Sequence, residues 1–138
     1  MKPLKKAYTL AELIVVVSIV AIISITGIFS YKHMLRKTVE SVLTNAVMIN
    51  VELIDIYYAN HGVWVTEAEP GNQNLTTDEE LKRFGLCGRN LSNDFMMRVF
   101  SLDGYPHVIA REQIGSDKFG IEVSYHFKTR ELIVSESN

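Results

Sequence analysis

An intramolecular disulfide is excluded at once, because Cys87 is the only cysteine among 138 residues. A domain with one thiol must hold on its core alone or pair between chains. Proline is nearly as scarce: Pro3, Pro70 and Pro106 are the only three, so none interrupts residues 4–69, and glycine enters that stretch only at Gly27 and Gly62. Charge is missing from Leu13 to Tyr31, which contain no Asp, Glu, Lys, Arg or His. The signatures of catalysis are missing as well. His33, His61, His107 and His126 are scattered, with no HExxH or Cys–His spacing. No phosphate-binding glycine motif or GxSxG elbow occurs. Asp103-Gly104 and Asp117 lack the oxygen-rich spacing of a calcium loop. Catalytic residues, metals and cofactors are therefore not expected; Cys87 reads as a buried or free thiol. Lys82, Arg83 and Arg89 form a small basic cluster beside Phe84, but a formal net charge of −2 argues against DNA as a partner.

What is present begins with that uncharged run. As a helix, Leu13 to Tyr31 spans about 29 Å, the thickness of a bilayer's hydrocarbon core. Lys2, Lys5 and Lys6 precede it without an acid, the basic flank that stays in the cytoplasm; the chain after Tyr31 is expected on the other side. Glu12 stands at the head of the run, where burying a lone carboxylate is costly. A cleaved secretory signal fits the basic start and apolar run, but an amphipathic helical pattern continues directly beyond "SITG" without a turn signal. An uncleaved signal anchor fits everything except Glu12.

Beyond the run, Leu35, Val39, Val42, Ala46, Ile49, Leu53 and Ile56 alternate spacings of four and three, one helical stripe. Leu43, Val47, Val51 and Ile54 form a second apolar line. Lys37, Ser41, Thr44, Glu52 and Asp55 fill a polar wedge between the two. Two apolar lines predict a helix covered on one side by its own domain and on the other by neighbours. Gly62 after "ANH" is a natural left-handed cap, so the helix is expected from Thr9 to Asn60, about 78 Å if unbroken.

Residues 63–93 read as a loop region containing one short helix at "TTDEELKRFG", with Thr77 and Glu80 at capping-box spacing and Gly85 as its end. From Phe95 the period becomes two. Phe119, Ile121, Val123, Tyr125 and Phe127 share one face, with Glu122, Ser124 and His126 on the other. Asp103-Gly104 predicts a tight hairpin between "FMMRVFSL" and "YPHVIAR", and "LIVS" is a last short strand. The first two strands alternate too poorly for their inward faces to be assigned. The expected fold is α+β: a long N-terminal helix, its second half packed on a C-terminal antiparallel sheet of about four strands.

The start of the chain, "KKA-YTLAEL-IVVVSIVAII", resembles the class III signal of type IV pilins and pseudopilins. That family has a short basic leader, a small residue, an aromatic, Thr-Leu, a variable residue, Glu-Leu and an apolar helix. Tyr8, Thr9, Leu10, Glu12 and Leu13 match in order. The resemblance implies a leader of residues 1–7, an apolar transmembrane and assembly helix over 8–31 and a globular domain over 32–138. It implies cleavage by prepilin peptidase between Ala7 and Tyr8, N-methylation of Tyr8, and retention of the helix. Assembly is implied to involve Thr9, Leu10, Glu12 and Leu13, with Glu12 meeting the Tyr8 amine, chiefly of a neighbouring subunit. The implied partners are other pilins, homo- or hetero-oligomeric, the peptidase-methylase, the inner-membrane assembly machinery and, before assembly, lipid. The implied location is the bacterial inner membrane, then a surface pilus or periplasmic pseudopilus. "YYANHGVW" also resembles the end of the family's long helix, with Val65 where a proline is expected. Ala7 replaces the usual glycine before the cut. The proline that many major pilins carry late in the apolar segment is absent, and so is a C-terminal disulfide. The rival expectation is a signal-anchored extracytoplasmic binding domain that does not polymerise.

Overall fold

The computed structural model describes residues 9–68, 74–86, 95–114 and 118–136. The elements run α1 (Leu10–His61), β1 (Asn74–Leu75), α2 (Asp78–Arg83), β2 (Phe95–Leu102), β3 (Tyr105–Ile114), β4 (Lys118–His126) and β5 (Glu131–Glu136). The five strands form one antiparallel sheet in sequential order. The chain is therefore α+β, a long N-terminal helix followed by an antiparallel sheet on which the helix packs. It divides into two compact units at Lys37/Thr38.

In the first unit every side chain from Thr9 to Lys37 is exposed. The helix continues through Gly27, where an added Cβ would meet nothing within 4 Å. With no proline to break it, the hydrogen-bond ladder continues through the segment beyond its first turn. Hydroxyls are satisfied locally too. Ser18 Oγ donates to the Ile14 carbonyl at 2.8 Å, Ser24 Oγ to Val20 at 2.7 Å and Thr26 Oγ1 to Ile23 at 2.9 Å. A mean hydropathy of 2.7 over 18 residues makes this helix long and apolar enough to cross a membrane by length and composition.

In the second unit the two apolar lines of α1 part company. Leu43, Val47, Val51 and Ile54 are buried, against Met97, Val99, Val108, Ala110, Ile121, Val123 and Tyr125 of the sheet. Each such side chain contributes about 1.5–3 kcal/mol by leaving water. Val42, Ile49 and Ile56 of the other line stay exposed, while Val39, Ala46 and Leu53 are half-buried. Asn50 is fully buried on the core line. Its Nδ2 donates to the Ala46 carbonyl at 2.9 Å and contacts Met97 Sδ at 2.8 Å, which ties the helix to β2. Polarity hid this residue from a reading based on apolar spacing.

The helix ends as its sequence predicts. Gly62 takes φ +73° and donates its N–H to Tyr58 O at 2.8 Å, a left-handed cap that a side chain would strain. Asp103 and Gly104 both have positive φ, the two-residue turn whose twist suits β2 and β3. Ile121, Val123, Tyr125 and Phe127 line the core; the side chain of Phe119 lies outside the described ones.

Three details differ from expectation. A fifth strand exists: β1, only two residues long, pairs with Val99 and Phe100 of β2, too short to show alternation in sequence. Ser124, on the polar face of β4, is nonetheless buried. The poorly alternating strands are explained by their outer face. Met97 and Val99 of β2 and Val108 and Ala110 of β3 point inward, but Ile109, on the opposite face between His107 and Arg111, is buried as well, which breaks the alternation of β3.

Candidate functional site

The residues singled out by sequence meet at the start of α1. Ala7 and Tyr8 lie outside the described residues. Thr9 immediately precedes the helix, and Leu10, Glu12 and Leu13 occupy its first turn. The spacing Thr-Leu-Ala-Glu closes a reciprocal cap. Thr9 N donates to Glu12 Oε2 at 2.8 Å, Thr9 Oγ1 donates to the same oxygen at 2.9 Å, and Glu12 N donates back to Thr9 Oγ1 at 3.3 Å. The Leu13 N–H reaches Thr9 O at 3.2 Å. A helix start leaves four N–H groups without intrahelical partners and carries a partial positive charge, so a carboxylate here is doubly favoured.

Glu12 is thus compensated from within its own turn. Both side-chain bonds fall on Oε2; Oε1 accepts none among the described residues. The carboxylate is exposed, as are Leu10 and Leu13. The cap holds one carboxylate oxygen at the head of a helix whose leading apolar side chains stay exposed among the described residues. Sequence reasoning recognised the box at Thr77–Glu80 and not at Thr9–Glu12, although the four-residue spacing is identical. The signal was present, obscured by reading Glu12 as an unpartnered charge.

The second box behaves as its sequence predicts. Thr77 caps α2, Glu80 N donates to Thr77 Oγ1 at 3.3 Å, and Glu80 Oε2 accepts from the Thr76 and Thr77 amides, each at 3.0 Å. Gly85, with φ +74°, closes the helix, and Leu81 and Leu86 pack into the core.

Elsewhere the titratable groups are spread out. His107 and His126 face each other across β3 and β4 with ring centroids 5.2 Å apart. Burial holds the His107 imidazole below its ordinary pKa; His126 adds to this and Glu122 opposes it. Glu122 is itself paired with Arg111. His126 Nδ1 accepts the Lys128 N–H at 3.1 Å, which makes it a lone-pair acceptor, unsuited to ligation through that nitrogen. Among the described residues no group of three or more His, Cys, Asp or Glu is close enough to hold a metal ion. Lys82 and Arg83 are exposed on α2; Cys87, Arg89 and Asp117 lie outside the described residues.

The chemistry available at the start of α1 is noncovalent: a capped, exposed carboxylate at the head of an apolar, exposed helix. No protein-family model, curated protein or solved structure matches the chain.

Proposed function

We propose that the chain is a structural subunit of a type IV pilus or of a type II secretion-like pseudopilus. In this reading prepilin peptidase removes residues 1–7, Tyr8 becomes the N-methylated first residue, and α1 anchors the protein in the inner membrane before it polymerises through its apolar half. Its role is mechanical, and the enzymes in its life act on it. Glu12 carries the reading. A helix that merely crossed a membrane would gain only the local cap from a carboxylate at its head, whereas a subunit that packs beside another also needs a polar contact to fix stagger.

Cleavage after Ala7 would create an amine on Tyr8 with an ordinary pKa of about 7.7–8.0, largely protonated at neutral pH. The cap already holds Glu12 through Oε2. The other oxygen is then positioned to accept from a neighbour's amine, a charge-assisted bond strengthened by low dielectric once apolar helices surround it.

The mature N-terminus, read by mass spectrometry of the protein from its native membrane, tests this. N-methyltyrosine at Tyr8 is the expected result. Retained Met1 would instead identify a signal-anchored domain, and a start near Ile28 a secreted protein freed by ordinary signal peptidase. Electron microscopy of sheared filaments then separates a surface pilus from a periplasmic role.

A further inference from the structure

We propose that a groove on the globular unit, between the second half of α1 and the turn joining β4 to β5, seats the basic Lys32–Lys37 segment of a second copy of this chain. The proposal rests on the reading that the chain assembles, and it names a contact which that reading leaves open.

The groove exists because α1 covers the sheet incompletely. Leu132 and Val134 of β5 pair with Tyr125 and Val123 of β4, so all four share the helix-facing side of the sheet. Tyr125 and Val123 are buried, yet Leu132 and Val134 remain about 40 % exposed (39 % and 41 %). On the helix, Ile49 and Ile56 are 49 % and 50 % exposed, whereas Ile54 is 0 %. A groove of about 880 Å³ lies between α1 and the end of β4, floored by Val51 and Tyr125 and walled by Met48, Ile49 and Ile56. Glu52 and Asp55 line it from the helix and Arg130 from the turn.

Charge chooses the occupant. Glu52 and Asp55 form no ion pair among the described residues. An apolar segment laid over Ile49 and Ile56 would strip water from two carboxylates with only Arg130 in the groove to offset them, so a cationic occupant is favoured. Beyond the leader, Lys32, Arg36 and Lys37 form the tightest basic cluster of the long helix. Lys32 and Lys37 are exposed there, beside exposed Ile28, Tyr31 and Leu35. The segment has the groove's own mix of apolar and charged groups, with the opposite sign.

The two surfaces also dictate how copies associate. Two parallel helices in register would oppose like charges at both places. Matching Lys32 and Lys37 to Glu52 and Asp55 instead brings residues about 18–20 positions apart in the chain together. Such a contact joins different patches on the two partners. It does not close on itself, so it repeats along an open filament.

Charge reversal in the full-length chain, expressed in its native membrane, tests the contact. Glu52→Lys with Asp55→Lys, and separately Lys32→Glu with Lys37→Glu, should each cut sheared-filament yield about tenfold or more. Carrying both reversals in one chain should restore it to within about threefold. Membrane level, mature N-terminus and thermal melting in detergent should stay unchanged throughout. Unaltered yield after the acid reversal overturns the proposal, and so does a lysine-reversal loss that the acid reversal fails to rescue, which would assign those lysines to lipid headgroups. In a Cys87→Ser background, Leu35→Cys and Ile56→Cys placed on separate co-expressed chains should cross-link in the assembled fraction; absence of that dimer counts equally against it. Failure of the wild type to polymerise at all would defeat the assembly reading, whereas polymerisation insensitive to these variants defeats only this contact.

Discussion

The chain builds the same helix start twice, and the two copies have different surroundings. Thr9–Glu12 and Thr77–Glu80 share their spacing, their reciprocal bonds and nearly their distances. The second opens a six-residue helix whose Leu81 plugs into the core. The first opens a helix whose leading unit has no core at all, every side chain from Thr9 to Lys37 being exposed. Local geometry therefore gives no hint of what either glutamate is for. In the second box the carboxylate completes a fold; in the first it secures the opening turn of a helix whose side chains are exposed from Thr9 to Lys37.

The largest expected effect separates the two glutamates. Glu12→Gln keeps a capping side chain but removes the charge, and Glu80→Gln does the same to the other box. Glu12→Gln is expected to reduce filament yield by more than about tenfold, because a cation brought beside it would lose its counter-charge in an apolar setting. It should leave thermal melting of the full chain nearly unchanged. Glu80→Gln should leave assembly intact and cost at most about 1 kcal/mol of stability. Equal assembly by both variants would erase the distinction and remove the main support for a filament subunit.

A second contrast lies within α1, between two isoleucines one half-turn apart. Ile54→Ala opens a cavity against the sheet and is expected to destabilise the domain by about 2–5 kcal/mol in chemical denaturation. Ile56→Ala, on the exposed line, should stay within about 0.5 kcal/mol and lower assembly instead. A large stability loss at Ile56 would mean that the exposed line is covered within a single chain.

How much of this the sequence disclosed follows from the kind of signal each feature leaves. The helix, its two lines and its glycine stop were legible because apolar spacing and φ preference act within one or two turns. The Asp103-Gly104 hairpin was legible for the same reason. Asn50 was not, because a buried amide satisfied by Ala46 and Met97 looks, in sequence, like a gap in an apolar line. The inward faces of β2 and β3 were hidden by Ile109, which is buried on the opposite face of β3. Strand β1 was invisible at two residues, since its partner, not its composition, makes it a strand. At the candidate site, the Thr9–Glu12 cap has the same spacing as Thr77–Glu80, but a carboxylate at the head of an apolar run reads first as an unpaired charge. The groove at Tyr125 and Arg130 left no trace, because it depends on how much of the sheet the helix leaves uncovered.

The smallest effect probes the two threonines and decides what each box contributes. Thr77→Ala removes the cap of a helix too short to form alone, and should cost about 0.5–2 kcal/mol of domain stability by thermal denaturation. Thr9→Val removes the hydroxyl at the head of a helix that extends to His61, so little beyond the first turn depends on it. The Thr9 amide still donates to Glu12 Oε2, and the carboxylate keeps its charge and one anchor. Thr9→Val is thus expected to lower filament yield by only about two- to threefold, the factor that roughly half a kcal/mol of weakened orientation produces. The ordering of Thr9→Val against Glu12→Gln is the informative quantity. If the threonine variant matched the glutamate variant, the hydroxyl rather than the carboxylate would be the group that assembly requires. A clear gap between them assigns the box the task of holding the anion still and assigns the anion the contact.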